Sequence, residues 1–143
     1  MIQETRDGIV SVLDAIEGVT ARRYLGEISD PAHPDLNQHT LPLIFVDFVG
    51  DDGDGQTRTL TFNLYFVHVA YSMNETYRHG THNEIFTLLE AADNALRHCT
   101  CATLNPGRLR KIYDDQTAKG YLTIYSRVVT AQLIDEGVHT WLE

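Results

Sequence analysis

Histidines are the first residues of this sequence that could do chemistry, and there are seven of them. None belongs to an HExxH or HxH pattern, the spacings typical of many zinc sites. The closest group is His79 and His82 with Glu84, and two imidazoles with one carboxylate can bind zinc or iron. Two interpretations follow: a small metal-dependent hydrolase, or polar residues exposed at the start of a helix. We favour the second.

The two cysteines, Cys99 and Cys101, are separated by one residue. Positions this close rarely meet disulfide geometry. A structural zinc site needs about four ligands, and the chain has no second cysteine pair to complete one. We therefore expect two reduced thiols near a helix end, with metal binding assisted by His98 as the alternative.

Three acidic residues, Asp51, Asp52 and Asp54, alternate with glycines between two β-rich runs. An EF-hand calcium loop would need a glutamate at its twelfth position and flanking helices. Because the flanks here favour strands, we predict a solvated hairpin tip that faces a partner, with weak cation binding as the alternative.

The basic residues Arg108, Arg110 and Lys111, with Arg97 shortly before them, are concentrated in an otherwise acidic chain. Two interpretations are open. In a ring of identical subunits this patch would pair with the acidic tip of the next subunit. Alternatively, it is a solvated strand edge whose charges resist aggregation.

Other reaction chemistry has no support in the sequence. There is no G-x-S-x-G elbow around a serine, and no GK[ST] follows the glycines that could form a phosphate loop. The sequence thus predicts no catalytic residues, no metal site and no cofactor.

Composition narrows the class of protein. With 143 residues the chain fits one domain, here residues 1–143. The net charge of -9, from 20 acids against 11 bases, opposes direct nucleic-acid recognition. The first ten residues do not resemble a signal peptide, and no run approaches the roughly 18 apolar residues of a membrane helix. We expect a cytoplasmic protein with no membrane partner.

Apolar periodicity predicts two helices. Residues Ile2 to Ile16 form the first, with Gly18 as its stop. Thr81 to His98 form the second, where Thr81 and Glu84 have the spacing of a capping box at the helix start.

The β-rich runs predict two hairpins and a short strand. A loop over Gly26 to Thr40 and the turn Asn105-Pro106-Gly107 separate these elements, and Asp135 to Glu143 form a tail anchored by Trp141. The fold class is α+β, a mostly antiparallel sheet with the two helices packed on it. The predicted strands are Val19–Leu25, Leu41–Val49, Thr57–Ser72, Leu109–Tyr113 and Tyr121–Ile134.

Both faces of the long strand are apolar. Leu60, Phe62, Leu64, Phe66 and His68 point one way, and Asn63, Tyr65, Val67, Val69 and Tyr71 point the other. A strand with one solvated face would alternate apolar and polar residues. We therefore predict an oligomer interface that includes Tyr65 and Val67 together with Tyr125 or Val129.

The order of segments resembles the phage Mu-like family of tail terminator proteins, which occur in many prophages. The matching pieces span residues 2–134, and the most characteristic is Arg78 to Gly80 followed by the LLEA-type helix. The others are IVSVLDAI, LPLIFVDF, LTFNLYFVHVAYS and the closing LRKIYDDQTAKGYLTIYSRVVTAQL.

This resemblance implies a virion structural protein without catalytic residues. Such a protein forms a homohexameric ring at the head-proximal end of the tail, after assembly in the host cytoplasm. The ring caps the tail tube, stops its polymerisation and joins the tail to the head. Its partners would be the tail tube and sheath proteins and the head-tail connector protein. A head-tail connector or a tail-completion protein of similar build is the alternative.

Overall fold

The described part of the chain forms a five-stranded sheet with two helices, as seen in a computed structural model. The structure describes residues 2–26, 42–53, 57–70, 75–100, 102–117 and 120–134. The expected α+β class is confirmed. The elements are α1 (Ile2–Asp14), β1 (Thr20–Arg23), β2 (Leu43–Gly53), β3 (Thr57–Ala70), α2 (Glu75–Arg97), β4 (Thr103–Thr117) and β5 (Gly120–Ile134).

The strand order in the sheet is β1-β2-β3-β5-β4. The two hairpins pair β2 with β3 and β4 with β5, and β5 also lies antiparallel to β3 along its full length. Only β1 and β2 run parallel, from Thr20 against Leu43 to Arg23 against Val46. The two outer strands are therefore β1, which is short, and β4, which is long.

Helix α1 ends two residues before Ile16, where the sequence predicts its end. It stops at Asp14, and Gly18 takes a φ of 78°, the left-handed region that glycine tolerates without steric cost. The Asp14 carboxylate then accepts a hydrogen bond of 3.1 Å from the backbone N–H of Ala21. This bond ties the end of the helix to β1.

Helix α2 starts earlier than predicted. It begins at Glu75, so Thr81 lies inside the helix and the expected capping box at its start is wrong. Glu75 and Arg78 are good helix formers, and Gly80 costs only about 1 kcal/mol in a helix interior. The predicted buried face is confirmed by Ile85, Leu88, Leu89, Ala92 and Leu96.

Strand β4 is also longer than predicted. The segment Asn105-Pro106-Gly107 is not a turn but part of the strand, where the register against β5 shifts between Pro106 and Leu109. Proline, which has no backbone N–H to donate, is tolerated there because β4 is an outer strand and the register shift leaves neighbouring residues unpaired. Pairing with β5 continues as far as Thr117 opposite Gly120.

The alternation predicted for β3 is confirmed. Leu60, Phe62, Leu64 and Phe66 pack with both helices in the main core. A second cluster, to which neither described helix contributes, lies on the opposite face and comprises Leu43, Phe45, Val67, Leu122 and Ile124. The sheet is thus apolar on both faces, as its sequence indicates.

Several predictions fall outside the described residues. These are the loop through residue 40 apart from Gly26, the strand ends Leu41, Tyr71 and Ser72, the side chain of Val69, the residue Asp54, and the tail 135–143 with Trp141.

Candidate functional site

The most exposed part of the sheet is the middle of its outer strand β4. Every residue from Gly107 to Ile112 is exposed. Successive side chains of a strand point to opposite faces, so a run exposed throughout offers both faces to solvent. No described strand pairs with the outer side of β4. We call residues 107–112 the basic edge.

The basic edge combines cations with apolar side chains. Leu109 and Ile112 are each 37% exposed, which is high for large apolar residues. Lys111 is bound to Asp114 at 2.9 Å. Arg108 and Arg110 make no side-chain hydrogen bond or ion pair with any residue in the described ranges. The arginines therefore remain available to a partner.

A second open edge lies on β2, on the other side of the sheet. Strand β1 pairs with β2 only as far as Val46, so no described strand pairs with residues 47–53 on that side. Val49, at a register shift between Phe48 and Gly50, is 53% exposed. We call residues 47–53 the acidic edge, because Asp47, Asp51 and Asp52 all belong to it.

The acidic edge corrects the predicted hairpin tip. Asp51 and Asp52 are exposed as expected, but they belong to a strand and not to a loop. Strand pairing persists to Gly53 opposite Arg58, which leaves a shorter tip. Asp51 forms an ion pair with Arg58 inside the chain, whereas Asp52 makes no such contact among the described residues.

Asp47 lies where the acidic edge begins, opposite Asn63 of β3. Burial raises the pKa of its carboxyl above the ordinary value of 3.8, because desolvation disfavours the charged form. No side chain of the described residues bonds to this carboxylate. A cation brought by a partner would stabilise its ionised form.

The four residues of the predicted oligomer interface do not share one surface. Tyr65 and Val67 belong to the second cluster, on the face opposite the two described helices. Tyr125 and Val129 pack in the main core on the opposite face. Val67 is 3% exposed and Val129 is 0% exposed, so within a single chain both are core residues with almost no surface for a neighbour. Sequence alternation identifies the two faces but not what covers them.

The histidine group is only partly described. Glu84 lies near His68, with Oε2 3.6 Å from Nε2, and His68 is largely buried on β3. His79 and His82 lie on helix α2, but their side chains are outside the described part of the structure. Among the described side chains, no three His, Cys, Asp or Glu residues are grouped to bind a metal ion.

Cys99 differs from the prediction. It is disulfide-bonded, which contradicts the expectation of two reduced thiols. The other cysteine, Cys101, lies outside the described residues.

Comparisons with known proteins do not show which family the chain belongs to. No protein-family model matches it, and no curated protein does. One similar solved structure is the core region of PilO from the type IV pilus system of Pseudomonas aeruginosa, with 7% identity and a TM-score of 0.41 over 79% of this chain and 96% of that one. A likeness at this level does not bear on function. Neither described helix has an apolar stretch long enough to cross a membrane.

Proposed function

We propose that this chain is a structural protein of a phage tail, a tail terminator that acts as a homohexameric ring. The ring caps the tail tube at its head-proximal end, stops its polymerisation and joins the tail to the head. The proposed activity is binding, and it uses no catalytic residue and no cofactor. The resemblance of segment order to Mu-like tail terminators suggests this function.

One structural observation supports a role in assembly: the basic edge is exposed on both faces, and no described strand pairs with its outer side. An unpaired strand offers a row of backbone N–H and C=O groups, which another strand can pair with. Exposed Leu109 and Ile112 add apolar area that a partner would cover. Such an edge suits a protein that works by contact with other protein chains.

The charge balance supports protein partners over nucleic acid. The net charge of -9 repels a phosphate backbone, while the basic edge supplies a local attraction for an acidic protein surface. Tail tube and sheath proteins and the head-tail connector protein are the partners we propose for the assembled ring. A role as a head-tail connector or tail-completion protein would use the same kinds of contact.

The experiment that tests the function uses tail tubes assembled from the tube protein of the same phage or prophage. Purified chain is added while the tubes grow, and tube length and tube ends are followed by negative-stain electron microscopy. We expect a ring-shaped density at one end of each tube and an arrest of growth. Tubes that lengthen at an unchanged rate with bare ends would contradict the proposal. Binding to isolated heads in place of tubes would favour the connector alternative.

A further inference from the structure

We infer that neighbouring copies of this chain join edge to edge, with the basic edge of one copy lying along the acidic edge of the next. The inference rests on the proposed ring and names the surfaces that close it. It goes beyond the ring itself, because a ring could also close through helices, loops or a sheet face.

The positions of the two edges fit a head-to-tail contact. The basic edge is on β4, the last strand on one side of the sheet, and the acidic edge is on β2 near the other side. One copy can therefore present both edges at once to two different neighbours. A contact between two different patches generates a closed ring or a filament. At roughly 3.3 Å per residue, each edge is on the order of 20 Å long, so their lengths match.

Charge selects this pairing over the alternatives. A symmetric contact between two basic edges would bring Arg108 and Arg110 against their own copies, and two acidic edges would bring aspartates together. Like charges placed opposite one another across strands are destabilising. A basic edge against an acidic edge instead places Arg108 and Arg110 near Asp47 and Asp52.

No described residue forms a side-chain hydrogen bond or ion pair with the four charged groups of this contact, Arg108, Arg110, Asp47 and Asp52. Lys111 and Asp51, in contrast, already form ion pairs within their own chain. Burial raises the pKa of Asp47, and a neighbouring guanidinium would lower it again. Apolar contact would come from Leu109 and Ile112 on one side and Val49 on the other.

The open edges also need protection from unrelated strands. Cations along β4 and the register shift at Val49 of β2 are devices that discourage indiscriminate strand pairing. Complementary charge then admits the matching edge of a second copy. This makes a second copy the occupant that we propose for both edges.

The test is a charge exchange, with solution mass measured by light scattering behind a sizing column. One variant carries Arg108→Glu and Arg110→Glu, and the other carries Asp47→Lys and Asp52→Lys. Arg97→Glu and Glu90→Lys are the controls, because they reverse exposed charges on helix α2. Circular dichroism verifies that every variant is folded.

We expect the protein concentration at which each edge variant alone assembles to rise by roughly tenfold or more, because like charges then face each other. The controls should assemble as wild type does. An equal mixture of the two edge variants should recover the ring, because alternating copies place opposite charges together at every contact.

The outcomes separate the edge contact from the proposed function. A wild-type ring that persists unchanged in both edge variants would overturn the edge contact and leave the ring standing. Loss of assembly in the two variants without recovery in the mixture would also overturn it, and would indicate that the edges bind some other acidic and basic surfaces. A wild-type chain that stays single at all concentrations would contradict both the ring and its edges.

Discussion

At the scale of single residues, Arg127 links three elements around the site. Its Nη2 donates to the Asp93 carboxylate of α2 at 2.7 Å, and its Nη1 donates to the carbonyl oxygen of Gly107 at 3.0 Å. Both charged side chains are mostly buried, 15% and 23% exposed. Arg127 thereby fixes the beginning of the basic edge against β5 and the helix.

Removing this arginine should destabilise the fold. Arg127→Met leaves the Asp93 carboxylate largely buried without its cation, and we expect a loss on the order of 2 kcal/mol in the free energy of unfolding. Arg97→Met, at the exposed end of α2, is the matched control and should change it by about 0.5 kcal/mol or less. Urea unfolding at fixed protein concentration measures both. Equal stability of the two variants would show that the ion pair between Arg127 and Asp93 does not stabilise the fold.

Asp47 predicts a pH dependence with a definite sign. Because burial raises the pKa of its carboxyl, the proton is bound more tightly in the folded chain, and this stabilisation is lost as the pH rises through the raised pKa. Asp47→Asn should therefore be more stable than wild type at pH 7, and the advantage should vanish below about pH 3.8.

Urea titrations of dilute, unassembled chain across this pH range provide the measurement. An Asp47→Asn chain less stable than wild type at pH 7 would mean that the carboxylate has a favourable contact in the folded state.

Sequence reasoning succeeded for residues whose environment follows a simple period. The buried face of α2 and the two faces of β3 follow from spacing alone. It did not decide what covers Val129, because alternation assigns a face to a residue without saying whether a helix or a neighbour covers that face. The disulfide at Cys99 was not predicted either. The prediction relied on the rule that cysteines one residue apart rarely meet disulfide geometry, and a rule of this kind describes only the usual case.

At the scale of elements, the ends of helices and strands were predicted from glycine and proline, correctly in one case and wrongly in another. Gly18 correctly marked a break after α1, four residues beyond its last residue Asp14, and its φ of 78° is a conformation that other residues adopt at a cost. Pro106 was misleading, because an outer strand with a register shift accommodates a proline that an inner strand would reject. The difference depends on strand position, which local sequence does not reveal.

Gly18 can be tested directly. Gly18→Ala places a side chain in the left-handed region, and we expect it to lower the free energy of unfolding by about 1 kcal/mol. Gly50→Ala is the control, since Gly50 lacks a positive φ and a Cβ there would meet nothing within 4 Å. Thermal and urea unfolding should separate the two. A Gly18→Ala chain as stable as Gly50→Ala would mean that the helix end relaxes freely.

The two surfaces of the sheet should respond differently to an added charge. Val67→Asp buries a charge in the second cluster, on the face opposite the two described helices, and should cost on the order of 3 kcal/mol of monomer stability. Leu109→Asp, on the basic edge, should change monomer stability by about 0.5 kcal/mol and weaken assembly instead. Unfolding and solution mass are measured on the same samples. A Val67→Asp chain of unchanged stability that fails to assemble would place the interface on the sheet face.

At the scale of the whole molecule, strand order decides where the charges lie. The hairpins were predictable because their arms are adjacent in sequence. The pairing of β3 with β5 was not, because it joins Thr57 to Ile134 across a helix and another strand. That pairing moves β4 to the outside and makes its cations an edge. The parallel β1 is short, which leaves the acidic edge of β2 open.

The central claim is that this chain assembles into a ring, and solution mass tests it most directly. Light scattering behind a sizing column, over a range of concentrations, should give a mass near six times 16.2 kDa, or a single chain that becomes such a ring as concentration rises. A mass of 16.2 kDa at every concentration would contradict the account.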